Sequence, residues 1–262
     1  MYDADVKFTR RPLHLALAGA LGALLGAAAT PARAQQPADT ALLRLDVNLP
    51  AYRLTARERG GATTEIRIAI GRRDFPTPTG RFSVTDITWN PWWHPPSSAW
   101  AANDTVTPPC PTNPMGSVKL GFGRGYFIHG TPAPQSVGRA ASHGCLRTDN
   151  GDVRALAERI VTVVQPDALP EVQAWAASAR THVLRLRTPV PLTVRYDLAE
   201  VRGDTLWLYP DVYRRAGSTA RRIQLARQAL AAAGRDSMAI DEPRLAQLVA
   251  ASRRQPVAVA IP

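Results

Sequence analysis

The chain has 262 residues, 45% hydrophobic and 20% charged, a globular composition that excludes a disordered or collagen-like protein. Lys plus Arg number 32 against 21 Asp plus Glu, a formal charge of +11, and only Lys7 and Lys119 are lysines. Two cysteines, Cys110 and Cys145, are too few for a disulfide framework, so they pair once with each other or stay free.

The first element is an export signal. Lys7, Arg10 and Arg11 precede an unbroken apolar run of 15 residues over 15–29, then Pro31 and a small-x-small site at Ala32-Arg33-Ala34. A spanning helix needs about 20 apolar residues, so residues 1–34 are predicted to be a cleaved signal peptide. The Arg10-Arg11 pair leaves Sec and twin-arginine export both open. No other run is long enough to span a bilayer. The mature protein is therefore expected in the periplasm or cell envelope, with no stable membrane insertion after signal cleavage. Export and the scatter of the arginines argue against a nucleic-acid partner. They leave an anionic envelope, or simply a solvated arginine-rich surface, as the meaning of the charge.

Residues 42–70 alternate, with a strand over 64–70 and a turn at Gly60-Gly61. A strand over 80–87 follows the turn-rich Phe75-Pro76-Thr77-Pro78-Thr79. Nine prolines fall between 76 and 114, so most of that stretch is a long loop. Trp89, Trp92, Trp93 and Trp100 argue for a packed loop over a disordered one. Residues 125–130 are a short buried strand ending at His129. Val153, Leu156, Ala157, Ile160, Val161 and Val164 mark one helical face, with Asp149 or Asn150 as N-cap. A further helix is predicted over 170–180. The stretches 190–196 and 204–209 look like a hairpin around Arg202-Gly203. Helices over 218–233 and 242–253 and a last strand over 257–261 follow.

The chemistry sits between His129 and Arg147. A cysteine attacks as thiolate and needs a nearby base or cation to form one. His143, two residues before Cys145, is too close in sequence for an easy ring-to-sulfur hydrogen bond, so His129 is the expected base. Gly144 lets the backbone turn sharply, so successive N–H groups around Cys145 can face one oxyanion. Arg147 is suited to hold a substrate carboxylate. The alternatives are a small buried cysteine with structural histidines, or zinc held by His129, His143 and Cys145. The zinc reading lacks the usual spacing and a fourth ligand.

His129 followed by Ser142-His143-Gly144-Cys145-Leu146-Arg147 resembles the signature of the L,D-transpeptidase (YkuD-type) catalytic domain, in its periplasmic ErfK-like subgroup. Supporting motifs lie at 76–80, 90–96, 113–116, 128–131, 136–138 and 150–152. The resemblance covers residues 42–165, extending weakly to 190–209 and the closing strand; residues 165–188 look like an insertion. It implies a mainly β, two-sheet β-sandwich-like catalytic domain with one or two helices, and a cysteine in a cleft under a lid. Residues 166–262 would then form a small α/β C-terminal extension of hairpin, two helices and last strand. The resemblance further implies acyl transfer on peptidoglycan stem peptides, with release of a terminal D-alanine and passage of a Cys145 thioester to an amine. Cys145 is then the nucleophile, His129 the base, and the Gly130 carbonyl orients the His129 ring. Ser142, His143 and Gly144 line the oxyanion and substrate site, and Arg147 binds substrate carboxylate. The acceptor is a second stem or an envelope protein. No cofactor or metal is required. Two alternatives remain: an L,D-carboxypeptidase or wall-detaching hydrolase on the same thioester, and an inactive wall-binding module whose Trp89, Trp92 and Trp93 stack on sugars. Cys110 has no role in the family pattern.

Overall fold

The computed structural model describes residues 40–123 and 125–262, so the expected signal over 1–34 lies outside the described residues. Alternation builds the first strands. Leu43, Leu45 and Val47 bury one side of β1 (Leu43–Asn48), which pairs antiparallel with β2 (Arg53–Glu58). The chain turns through Gly60, at φ +69°, into β3 (Thr63–Arg67). The predicted strand over 64–70 is thereby split, because Ile70 and Gly71 form β4, which leaves the sheet to pair elsewhere.

β5 (Gly80–Trp89), β6 (Val118–Gly121) and β7 (Phe127–His129) run antiparallel to one another in sequence. β8 (Ala140–Ser142) pairs parallel with β4, and β9 (Leu146–Arg147) pairs parallel with β7. α1 (Asn150–Val164) starts at Asp149, whose Oδ1 accepts the Gly151 N–H at 2.7 Å. It buries Val153, Leu156, Ala157, Ile160 and Val161 against β1, β6, β7 and β10 (His182–Arg195). α2 (Leu169–Ala176) lies between α1 and β10 in sequence, and its Trp175 meets the buried Trp89 edge-on, with ring centroids 5.8 Å apart.

The main sheet has the order β3-β2-β1-β10-β5-β6-β7-β9. β10 is where the structure departs most from the sequence reading. Residues 190–196 do not form a hairpin with 204–209. Val190, Leu192 and Val194 are buried where β10 lies between β1, parallel, and β5, antiparallel. The hairpin is instead β11 (Ala199–Arg202) with β12 (Thr205–Leu208) around Gly203. Residues 182–188, read as part of an insertion, start β10: His182 to Arg185 pair with Trp89 to Asp86. The register shifts between Arg185 and Val190, and Pro189, which has no N–H for a ladder, falls at that irregularity.

The last elements are α3 (Thr219–Ala232), α4 (Glu242–Ala251) and β13 (Val257–Ala260), which adds to β12. Leu206, Leu208, Ala226, Leu230, Leu245 and Val249 form a second apolar core there. The molecule is thus mainly β, as the sequence predicts, and its α/β C-terminal part begins at β11 and not at residue 166, because α2 and β10 belong to the main core and sheet. Among the described residues no helix is long and apolar enough to cross a membrane.

Candidate active site

Register places the candidate site residues on one face of the main sheet. Lys119 of β6 is the partner of His129 in β7, and His129 is the partner of Arg147 in β9. Side chains alternate across a strand, so Val118, Leu120, Ile128 and Leu146 go to the opposite face and are buried in the main core. Cys145 precedes Arg147 by two residues. Together with Lys119, His129 and Arg147 it lines a cavity of about 500 Å³, which Trp92, Trp93 and Trp100 of the proline-rich loop also line.

That loop is held by its own bonds. Trp93 and Thr107 exchange main-chain hydrogen bonds of 2.9 and 3.0 Å. The buried Asn113 donates from Nδ2 to the carbonyls of Pro91, Thr107 and Pro108 at 3.0, 3.1 and 2.9 Å, and its Oδ1 accepts the Met115 N–H at 2.8 Å. The prolines fix the loop's dihedrals, and this one side chain satisfies the Pro91 and Pro108 carbonyls and adds to the Thr107 carbonyl, which also accepts the Trp93 N–H.

The His129 ring is buried, with Nδ1 at 2.6 Å from the Gly130 carbonyl. That carbonyl can only accept, so Nδ1 carries the proton and Nε2 the lone pair. Burial first, then the Arg147 and Lys119 charges, push the imidazole down to about 3; the Gly130 and Met115 backbone pull the other way. Asn150 fixes Gly130 from behind. Its Oδ1 accepts the Ser117 N–H at 2.9 Å and its Nδ2 donates to the Thr131 carbonyl at 3.1 Å. A Cβ on Gly130 would lie 2.1 Å from Asn150 Oδ1, so only glycine fits there.

The turn that leads into Cys145 is organised by Ser142. Its buried hydroxyl donates to the Cys145 carbonyl at 2.5 Å and accepts the Gly144 N–H at 3.1 Å. Ser142 lines the cavity, but its hydroxyl is engaged in the turn, and so is the Gly144 N–H. Gly144 sits at φ +112°, where a Cβ would come 2.7 Å from Tyr126 Cε1. His143 points into the loop. Its ring stacks on Trp100 with centroids 3.8 Å apart, meets Phe75 edge-on at 4.9 Å, and has Nε2 2.7 Å from the Arg72 guanidinium. Burial, Arg72 and Arg147 hold the His143 imidazole below its usual range, so it stays neutral and accepts from Arg72.

Burial pushes the Cys145 thiol up, against the Phe127 backbone, Arg147 and Lys119, which pull it down. Arg147 is itself largely desolvated, and its buried Nε has no hydrogen-bond partner. Cys110 lies outside this cluster. It is exposed, with Sγ 3.3 Å from Thr112 Oγ1, and both cysteines are free. Among the described residues no group of three His, Cys, Asp or Glu is placed to hold a metal ion, so the zinc reading has no donor set. Lys119 was not read from the sequence. Its place follows from the β6–β7 register, and the only local signal was that it is the one lysine beyond residues 1–34.

A family model described as YkuD, L,D-transpeptidase catalytic domain, matches residues 43–191. Among curated relatives, the Bacillus subtilis protein named "Putative L,D-transpeptidase YqjB" is 36% identical over 99 residues, 36% of this chain and 52% of that one. The Escherichia coli protein named "Probable L,D-transpeptidase YbiS" is 33% identical over 110 residues, 40% of this chain and 36% of that one. The matched region therefore spans about half or less of these relatives' length. Among solved structures, the catalytic domain of an Enterococcus faecium L,D-transpeptidase has a TM-score of 0.38 at 18% identity, covering 58% of this chain and 96% of that one. An L,D-transpeptidase from Mycobacterium smegmatis has a TM-score of 0.38 at 14% identity, covering 59% of each chain.

Proposed function

This chain belongs to the L,D-transpeptidase catalytic-domain family, and from that premise we propose that it is an exported cysteine acyltransferase acting on peptidoglycan stem peptides. The observation that carries the reading is the shared sheet face. Cys145, His129 and Arg147 line one lidded cavity, and the His129 tautomer leaves Nε2 free to take a proton.

In this reading Cys145 Sγ adds to the carbonyl of the stem's diamino acid while its proton passes to His129 Nε2. The oxyanion is held by main-chain N–H groups of the nucleophile turn, those of His143 and Cys145, since the Gly144 N–H is engaged by Ser142. The peptide C–N bond breaks, and D-alanine leaves with the proton from His129. A thioester remains on Cys145. An amine then attacks it, the new amide forms, and the thiol is restored. Gly130 holds the imidazole in its tautomer throughout, and Arg147 docks a donor carboxylate. His143 belongs to the lid contact. Residues 1–34 direct export, residues 42–165 carry the signature motifs, and an amine on a second stem or an envelope protein is the acceptor.

The test is intact-mass analysis with a disaccharide-tetrapeptide, with and without an amine acceptor. Loss of D-alanine, a Cys145-bound acyl adduct and a new cross-link are expected, and Cys145→Ala should give none of them. Loss of D-alanine with no cross-link would assign the thioester to water and make the protein a carboxypeptidase. No adduct and no loss of D-alanine would overturn the reading.

A further inference from the structure

Lys119 enters the site without a role in the reading above. It lines the cavity and stands next to His129 in the ladder, with Nζ 4.8 Å from the centroid of the Phe127 ring. It is partly buried and forms no ion pair among the described residues. The nearest acid on the same face is Asp86, which lies over Gly121 so closely that a Cβ there would be 2.7 Å from its Oδ1. Asp86 Oδ1 also accepts from Thr85 Oγ1 at 2.9 Å, and Asp86 does not line the cavity. Arg147, on the other side of His129, has a buried Nε without a partner. Among the described residues that line the cavity there is no Asp or Glu.

The Asp86 charge acts on Lys119 from outside the cavity, but the cavity wall itself offers neither cation a carboxylate, so an anion that enters meets two partly desolvated cations. The two cations are separate positions. Lys119 and Arg147 are each one strand away from His129, on opposite sides, so their Cα atoms are about 10 Å apart. One carboxylate on the guanidinium fork leaves the ammonium free for a second.

We propose that Lys119 and Arg147 form a two-cation subsite that selects acyl donors carrying two free carboxylates, one at each cation. The proposal deepens the acyl-transfer reading and rests on it for the donor class. It makes Lys119 a specificity-determining residue. A donor with either carboxylate converted to the carboxamide loses one of the two contacts, and the Lys119 contact is the one a lysine substitution can erase.

The experiment is equilibrium binding to the Cys145→Ala protein, so that no turnover is needed. The probes are a D-alanine-ending tetrapeptide with its carboxylates free and the same peptide amidated at one carboxylate at a time. The Cys145→Ala protein is expected to bind the free acid at least 10-fold better than the peptide amidated at the Lys119 position. Adding Lys119→Met should abolish that preference, while Lys119→Arg should keep most of it. Equal preference with and without Lys119→Met would overturn the proposal, as would failure of the free acid to bind. So would unchanged binding together with an upward shift in the pH of Cys145 alkylation in Lys119→Met, since Lys119 would then serve only the thiol. Acid-selective binding by a protein that releases no D-alanine would keep the subsite and sink the acyl-transfer reading.

Discussion

Cys145 and His129 rest as a neutral pair. Burial raises the thiol and drives the imidazole down to about 3, so neither charge is present in the free protein at neutral pH. Iodoacetamide should therefore alkylate Cys145 at a rate that keeps rising through the alkaline range of an ordinary thiol. A rate plateau below pH 7 would show a preformed thiolate instead. The same imbalance acts on stability. Folded His129 stays neutral while the unfolded imidazole takes a proton below its ordinary 6.5, so the unfolded chain gains protons as pH falls between 6.5 and 3. His129 alone should cost about 4 kcal/mol by pH 3. Melting temperature measured from pH 7 to pH 5 should fall more steeply in the wild type than in His129→Gln, which keeps only the contribution of His143; parallel curves would refute the assignment. Cys145 and His129 could be paired as candidates from the sequence because thiol chemistry demands a base and the motif brackets both, and the two line one cavity. Lys119 could not, because its neighbour is fixed by strand register across 10 residues of chain. Ser142 was read as a lining group, but its position two residues before Gly144 lets the hydroxyl close the turn. Asn150 was visible only as a helix start, and its contacts to Ser117 and Thr131 are long-range.

Among the elements, the proline-rich loop over 90–117 meets the turn before Cys145 at the Trp100–His143 stack. Trp100 is about one-third exposed, at 37%, and lies parallel to His143 at 3.8 Å, so the stack is a latch at the cavity's edge. Aromatic pairs contribute about 0.5–1.5 kcal/mol beyond area burial. Trp100→Ala should then lower kcat/KM by about 2- to 12-fold and leave the melting temperature nearly unchanged, because Asn113 and the Trp93–Thr107 bonds hold the loop independently. A large drop in melting temperature would make Trp100 a fold residue. The sequence marked this loop through its prolines and tryptophans, and it marked α1 through its apolar period. It misplaced β10 for a physical reason. A strand buried between two neighbours shows the same apolar run whether its partner is the next hairpin arm or a strand 100 residues earlier, and no local signal separates the two.

The whole molecule ties its C-terminal part to the site. Arg53 and Glu200 form a largely buried ion pair, and Tyr209 donates to Glu200 Oε1 at 2.6 Å, which joins β2 to β11 and the end of β12. Beyond that hairpin, Tyr213 reaches the loop between β4 and β5. Its hydroxyl donates to the Gly71 carbonyl at 2.9 Å and accepts the Thr77 N–H at 3.2 Å, while Thr77 Oγ1 accepts the Gly71 N–H at 2.9 Å. This loop carries Phe75, whose ring edges His143, and Arg72, whose N–H donates to the Ser142 carbonyl at 2.8 Å. Gly71 packs so tightly that a Cβ on it would lie 3.0 Å from Gly144 Cα. Tyr213→Phe keeps the ring but leaves a buried carbonyl and a buried N–H short of a partner, which costs about 1–3 kcal/mol. At about 2–4 °C per kcal/mol for a chain of this size, the melting temperature should fall by about 2–12 °C. The informative comparison is Leu230→Ala, which opens a cavity in the second core and touches nothing near Gly71. Below both transitions, Tyr213→Phe should lose several-fold more kcat/KM than Leu230→Ala, because only it loosens the support under the turn that carries Cys145. Equal activity losses in the two variants would show that the C-terminal part contributes stability alone and has no hold on the site.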